Sequence, residues 1–145
     1  MTREYFAPEI DEAYDDGTGK YSLFQAFGCQ ISGGIRFTNK NNFVILINVP
    51  GSIYDDTVDG STIHYKGTGE GDQGFKYDPK NRKNGFLMNR KVKDPDSVLL
   101  YFEKTRPNHL VFRHKVKYVS HSFVKRRNMG GKMRRVIDFK LKIIK

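Results

Sequence analysis

Cysteine is almost missing from this chain, with Cys29 as its single representative. An intramolecular disulfide is therefore excluded, and an intracellular, cytoplasmic setting is the expectation. No apolar run approaches the ~20 residues that a membrane-spanning helix needs, and the acidic start is unlike a signal peptide, so no membrane partner is expected. The phosphate-cradling pattern G-x-x-x-x-G-K-[ST] is absent. His64, His109, His114 and His121 have no zinc-ligand spacing with Cys29. Internal repeats, heptads and low-complexity segments are missing too. These absences leave no cofactor and no metal to expect.

Acidic residues are scarce: 16 Asp and Glu stand against 26 Lys and Arg, for a net charge of +10. Such a balance points to an anionic partner. The charge is uneven along the chain. Residues 1–20 carry Arg3 and Lys20 against Glu4, Glu9, Asp11, Glu12, Asp15 and Asp16, which reads as an acidic arm or a short helix. From Phe112 onward only Asp138 opposes a long series of Lys and Arg, so the C-terminal part is the expected phosphate-facing surface.

With 145 residues the chain is expected to form a single domain. Phe43–Val49 and Val98–Phe102 are near-continuous apolar runs with the character of buried strands. Leu110, Phe112, Val116, Tyr118 and Phe123 interleave with basic residues, and 136–144 alternates as VIDFKLKII, which predicts half-buried strands. Asn128-Met129-Gly130-Gly131 between them is a hairpin signal. Ser61–Tyr65 reads as a short strand, with 55–60 as the loop before it. Phe75–Arg90, rich in Lys, Asn, Gly and Pro, reads as a long excursion without apolar periodicity. The expected fold is α+β but mostly β: a curved antiparallel sheet or open barrel with few short helices.

The chemistry is concentrated between Tyr54 and Gly74, YDDTVDGSTIHYKGTGEGDQG, just past the first buried strand. Tyr54 and Tyr65 offer flat rings for a planar ligand, although aromatic residues beside strands are as often core. Asp55, Asp56 and Asp59 offer acceptor-only carboxylates suited to an amine or a metal. Gly67, Gly69 and Gly71 permit close backbone approach. Gly69–Gly74 also fits G-x-G-x-x-G, but the residues after it make a poor helix, against a dinucleotide site. The calcium-loop spacing is absent.

The run Gly33–Arg36 (GGIR), Tyr54-Asp55-Asp56, Asp59-Gly60, Tyr65-Lys66-Gly67, Gly69-Glu70-Gly71-Asp72-Gln73 and Asn84 resembles the SRA (SET and RING-associated) domain. The likeness is strongest to the SRA-like modules of modification-dependent restriction systems, of the McrBC and McrA type. It extends over 33–142 and is specific from Tyr54 to Gln73. Lys66 departs from the family's usual Thr, and the Tyr54 to Tyr65 spacing is about one residue shorter than in methylcytosine readers.

The resemblance implies a single PUA-like domain over 1–145 that binds modified duplex DNA and flips a 5-methyl- or 5-hydroxymethylcytosine into a pocket. Tyr54 and Tyr65 would hold the base between their rings, Asp56 or else Asp59 would accept from its amine, and Gly67 and Gly69 would admit it. Lys66, Lys80, Arg82, Lys83, Asn84, Arg90, Lys125, Arg126, Arg127 and Arg134 would serve the DNA backbone, with Arg82 or Asn84 as a wedge in the emptied stack. No catalytic residue is implied; nuclease or ATPase activity would lie in another domain or in a partner, such as an AAA+ motor. Two rival readings remain at this level. One is a PUA- or B3-like nucleic-acid binder that flips no base; the other is a small Mg²⁺ nuclease using Asp56, Asp59, Glu70 or Asp72.

Overall fold

The computed structural model describes residues 13–15, 34–37, 43–49, 56–69, 71–77, 85–106, 109–128 and 130–144. Within them run β1 (Ala13–Asp15), β2 (Gly34–Phe37), β3 (Phe43–Asn48), β4 (Thr57–Asp59), β5 (Thr62–Lys66), α1 (Gly85–Lys93), β6 (Val98–Arg106), β7 (His109–Arg127) and β8 (Met133–Ile144). The strands form one curled sheet in the order β2-β3-β6-β7-β8-β5-β4, with β1 paired to β7.

β3 is the anchor of this sheet, and its apolar run explains why. All six residues are buried. Val44 and Leu46 enter a cluster with Ile63, Tyr65, Leu99, Tyr101, Ile137, Phe139 and Leu141, while Phe43, Ile45 and Ile47 enter a second cluster with Leu100, Phe102, Leu110 and Phe112. A strand buried on both sides needs apolar residues at every position rather than at alternate ones. β3 pairs parallel to β6, from Phe43 beside Val98 to Asn48 beside Glu103. The other pairings among the described residues are antiparallel. The mostly β, mostly antiparallel expectation holds, with this one parallel junction added.

We call the face carrying the first cluster the inner face. α1 packs against it through Val92 and Met88. This helix lies partly within the segment read from sequence as an aperiodic excursion, and the reason is visible. Its buried residues are Gly85, Asn89 and Val92, a stripe at helical spacing whose members include a glycine and an amide. Hydrophobic periodicity cannot register such a stripe. Arg90, Lys91 and Lys93 occupy its last turn, where cations complement the helix dipole. A second correction concerns 55–60: Thr57–Asp59 is a strand, hairpinned onto β5 with Asp59 opposite Thr62.

β7 and β8 form one long antiparallel ribbon, from Lys115 beside Ile144 to Arg127 beside Met133. A bulge at Val119 places Tyr118 opposite Leu141 and His121 opposite Phe139, keeping both on the inner face. The hairpin turn predicted around 128–131 is present: the Gly131 and Lys132 amides donate to the Asn128 carbonyl and Oδ1, each at 2.9 Å. No helix among the described residues is long and apolar enough to cross a membrane.

Candidate nucleic-acid interface

Tyr65 lies on the inner face of β5 and is only 1% exposed. Its hydroxyl donates to the Ile47 carbonyl and accepts from the Ile47 amide, both at 3.0 Å. The Tyr101 ring meets it edge-on with centroids 6.2 Å apart. Burial, reinforced by the nearby Asp56 charge, raises the Tyr101 pKa far above the ordinary phenol value, against a lowering hydrogen bond from Asn48. Tyr65 is thus a core tyrosine in this structure rather than an open stacking surface. Its flat ring serves packing, and its polar tip ties β5 to β3.

Asp56 sits just before β4, partly buried. Its Oδ1 accepts the Lys66 amide at 2.8 Å, which fixes the carboxylate at the end of β5. Asp59 is not brought to the same place. It is exposed at the turn end of β4, three residues or about 10 Å of strand away from Asp56. The two aspartates named as alternatives for one role therefore occupy different ends of a hairpin.

Lys66, expected on the DNA backbone, is 5% exposed, and its Nζ lies 3.4 Å from Asp138 Oδ1. On the same carboxylate His64 Nδ1 approaches Oδ2 at 3.5 Å. Lys66 is an internal tie between β5 and β8 and does not present its charge outward.

The glycine-rich stretch after β5 is held by side chains from β8 and α1. Gln73 is fully buried; its Nε2 donates to the Gly67 and Gly69 carbonyls at 2.8 and 3.1 Å, and its Oε1 accepts the Ile137 amide at 3.0 Å. Asn89 Oδ1 accepts from the Thr68 amide at 2.9 Å, while its Nδ2 donates to the Thr68 and Gly74 carbonyls at 3.1 and 3.0 Å. Asp72 Oδ1 accepts the Arg135 amide at 2.7 Å. Arg134 Nη1 donates to the Gly69 carbonyl at 2.8 Å. Buried backbone groups need such partners, and here two amide side chains supply what a further strand would otherwise give.

This wiring reassigns three expected site residues. A Cβ on Gly67 would lie 2.7 Å from Gln73 Oε1 and 3.0 Å from Asn89 Oδ1 and Ile137 Cβ, so this glycine makes room for the amide network. Gly69 adopts φ of 130°, and its carbonyl is shared by Gln73 and Arg134. Arg134 is 5% exposed and braces the loop instead of meeting solvent.

Lys125, Arg126 and Arg127 are exposed at the distal end of β7, joined across the turn by exposed Lys132. Arg127 is braced by the Gly131 carbonyl at 2.8 Å. Two cross-strand pairs here put cation opposite cation: Lys125 beside Arg135 and Arg126 beside Arg134. Directly opposed like charges are unfavourable in an isolated sheet. Arg90 is exposed on α1, with Nε on the Phe75 carbonyl at 2.7 Å and the guanidinium 5.2 Å from the Phe86 ring centre. Tyr54, Lys80, Arg82, Lys83 and Asn84 lie outside the described residues.

Sequence reasoning gave Phe75 and His121 no role in this region and counted Lys93 and Arg135 only among the basic side chains expected to clamp the DNA backbone. Along the inner face of the ribbon, Lys93 stands 4.0 Å over Phe75, Phe75 meets His121 at 4.9 Å, and Arg135 lies 5.0 Å from the centre of Phe123. His121 Nδ1 is 2.7 Å from the Tyr118 hydroxyl, and burial together with the Lys93 charge lowers its pKa. Among the described residues no group of three or more His, Cys, Asp or Glu side chains converges as a metal site.

A family model described as "ScoMcrA-like, SRA domain" matches residues 15–145. A search of curated proteins finds no match. Among solved structures, the sulfur-binding and SRA domains of ScoMcrA complexed with phosphorothioated DNA align with a TM-score of 0.69 at 17% identity, over 97% of this chain and 41% of that one. The DNA modification-dependent restriction endonuclease AspBHI aligns with a TM-score of 0.66 at 15% identity, over 93% of this chain and 41% of that one. The SUVH5 SRA domain in complex with hemimethylated CG DNA aligns with a TM-score of 0.57 at 16% identity, over 96% of this chain and 92% of that one. These likenesses are of fold. The chain spans less than half the length of the two restriction-protein chains.

Proposed function

This chain belongs to the ScoMcrA-like SRA domain family, and from that premise we propose that it is a non-catalytic reader of modified duplex DNA. The family match over nearly the whole chain carries the proposal. In this reading the domain is the specificity module of a modification-dependent restriction system, fused to or assembled with an AAA+ motor or a nuclease subunit in the cytoplasm. The ligand is a duplex with a cytosine carrying a 5-methyl or 5-hydroxymethyl group. Asp56, held at the end of β5 by the Lys66 amide, accepts from the exocyclic amine. Tyr54 lines the approach. Lys125, Arg126 and Arg127 hold phosphates, with Arg90 and the 80–84 segment on the other side of the extruded nucleotide.

Extruding the base costs a few kcal/mol, which stacking at roughly 1–3 kcal/mol per base and the amine hydrogen bond must offset. The burial of Tyr65 favours a second reading, in which the duplex is read without extrusion. One experiment separates them. The domain is titrated with matched duplexes bearing one central cytosine, unmodified, 5-methylated or 5-hydroxymethylated, with 2-aminopurine beside it and a phosphorothioated duplex as a further arm. A base-modified preference with a fluorescence rise, both reduced in Asp56→Asn, is the expected result. A preference without the rise supports reading without extrusion. Equal binding to all duplexes overturns the reader function.

A further inference from the structure

The outer face of the β5-β8-β7 sheet carries a second basic cluster, far from the hairpin tip. Val116 belongs to the inner cluster, so the pleat turns Lys115 and Lys117 outward. Phe139 and Leu141 point inward, which turns Lys140 and Lys142 outward on the neighbouring strand. All four lysines are exposed. Lys117 is directly opposite Lys142, Lys115 is opposite Ile144, and Lys140 is opposite Ser120.

Opposed residues in an antiparallel pair lie about 4.5–5.5 Å apart, and next-but-one residues on a strand about 7 Å. Four ammonium groups therefore rise from a patch roughly one side chain wide and two long. None of them makes an ion pair with a described residue; the nearest carboxylate along β8, Asp138, is engaged by Lys66 and His64. A like-charge pair placed directly across a sheet works against folding. It gains a rationale when an anion sits over it.

We infer that this outer lysine face binds the phosphate backbone of a second segment of duplex DNA, separate from the segment read beside Asp56. The nature of the ligand rests on the reader function proposed above; the separateness rests on geometry. Asp56 lies close enough to Tyr101, an inner-cluster residue, for its charge to act on that hydroxyl, whereas the four lysines turn to the opposite side of the same sheet. One straight stretch of duplex cannot lie against both sides. Two segments can, and the domain then bridges them.

The test uses the whole chain and a Lys115→Gln/Lys117→Gln/Lys140→Gln/Lys142→Gln variant. Stoichiometry is measured at low salt with short unmodified and 5-methylated duplexes, and affinity is followed across a salt series. The parent is expected to take up two duplexes and the variant one. The log-log salt slope of total binding should shrink by about 2 to 4, at ~0.9 for each phosphate no longer neutralised. The variant's melting temperature should be no lower than the parent's, because removing like-charge pairs relieves repulsion. One duplex per parent domain, or an unchanged salt slope in the variant, overturns the inference. The ratio of modified to unmodified affinity is read in the same titrations. If that ratio is one in the parent, the reader function fails while the lysine-face result still stands or falls by stoichiometry.

Discussion

The Tyr65 hydroxyl and the Ile47 peptide group satisfy each other twice, the hydroxyl donating to the carbonyl and accepting from the amide at 3.0 Å. This joins β5, which leads into the glycine-rich loop, to β3, the most buried strand. Tyr65→Phe keeps the ring but leaves a buried amide and carbonyl short of a partner. A loss of about 1–3 kcal/mol is expected, read by urea unfolding. Tyr65→Ala is expected to cost about 3–5 kcal/mol. Failure of Tyr65→Ala to bind DNA would then report unfolding, which is why Asp56→Asn is the better probe of recognition.

Gln73 bonds two carbonyls on its own side and an amide 64 residues away. Gln73→Leu fills similar space and strands all three groups. A loss of about 3 kcal/mol or more is expected, measured by thermal melting. An unchanged melting temperature would show that the loop has another support.

Gly67→Ala tests the crowding beside that amide. The new methyl would fall 2.7 Å from Gln73 Oε1, an atom already fixed by the Ile137 amide. Overpacking of this kind is expected to cost about 1–3 kcal/mol, visible as a lower urea midpoint.

Much of the fold was legible in the sequence, and the exceptions share a cause. β3 and β6 announced themselves as apolar runs, and the β7-β8 ribbon as alternation ending in a glycine-rich turn. The parallel pairing of β3 with β6 left no trace, since both strands are apolar throughout and either direction would bury them. α1 escaped because its packed stripe is Gly85, Asn89 and Val92. In the candidate site, the tyrosine-aspartate motif singled out Asp56 but gave no sign of the Lys66 amide that holds its carboxylate. Lys66 and Arg134 were assigned to DNA because their charge suggests exposure; burial beside Asp138 and the Gly69 carbonyl is a property of tertiary pairing. The Gln73–Asn89 network joins polar residues of different elements, and polar residues carry no periodicity to betray such a link.

The hairpin tip gives a prediction about electrostatics alone. In a Lys125→Gln/Arg126→Gln/Arg127→Gln variant, binding should weaken on modified and unmodified duplexes alike. The salt slope should fall by about 2.7 if each residue holds one phosphate. A change in preference without a change in slope would mean that the tip touches bases.

His121 makes stability depend on pH. Burial and the neighbouring Lys93 charge hold its folded pKa below the ordinary value, so the folded protein prefers the neutral ring. As pH falls below the unfolded value of about 6.5, the unfolded chain takes up the proton first, and stability drops. His121→Asn should flatten this part of the melting-temperature profile between about pH 7.5 and 5. An identical profile in the variant would assign the pH dependence elsewhere.

The loop beside Asp56 has a further property that follows from where its partners lie along the chain. Gln73 is locked by Ile137 and Asp72 by Arg135, partners 64 and 63 residues apart in sequence. During synthesis this glycine-rich loop therefore waits for β8, made some sixty residues later. Interactions of such long range are slow to form, because the intervening chain must close first. A nascent chain stopped before β8 would leave the glycine-rich loop without these two partners. Competence to bind DNA should thus emerge late and abruptly, as a property of the finished ribbon.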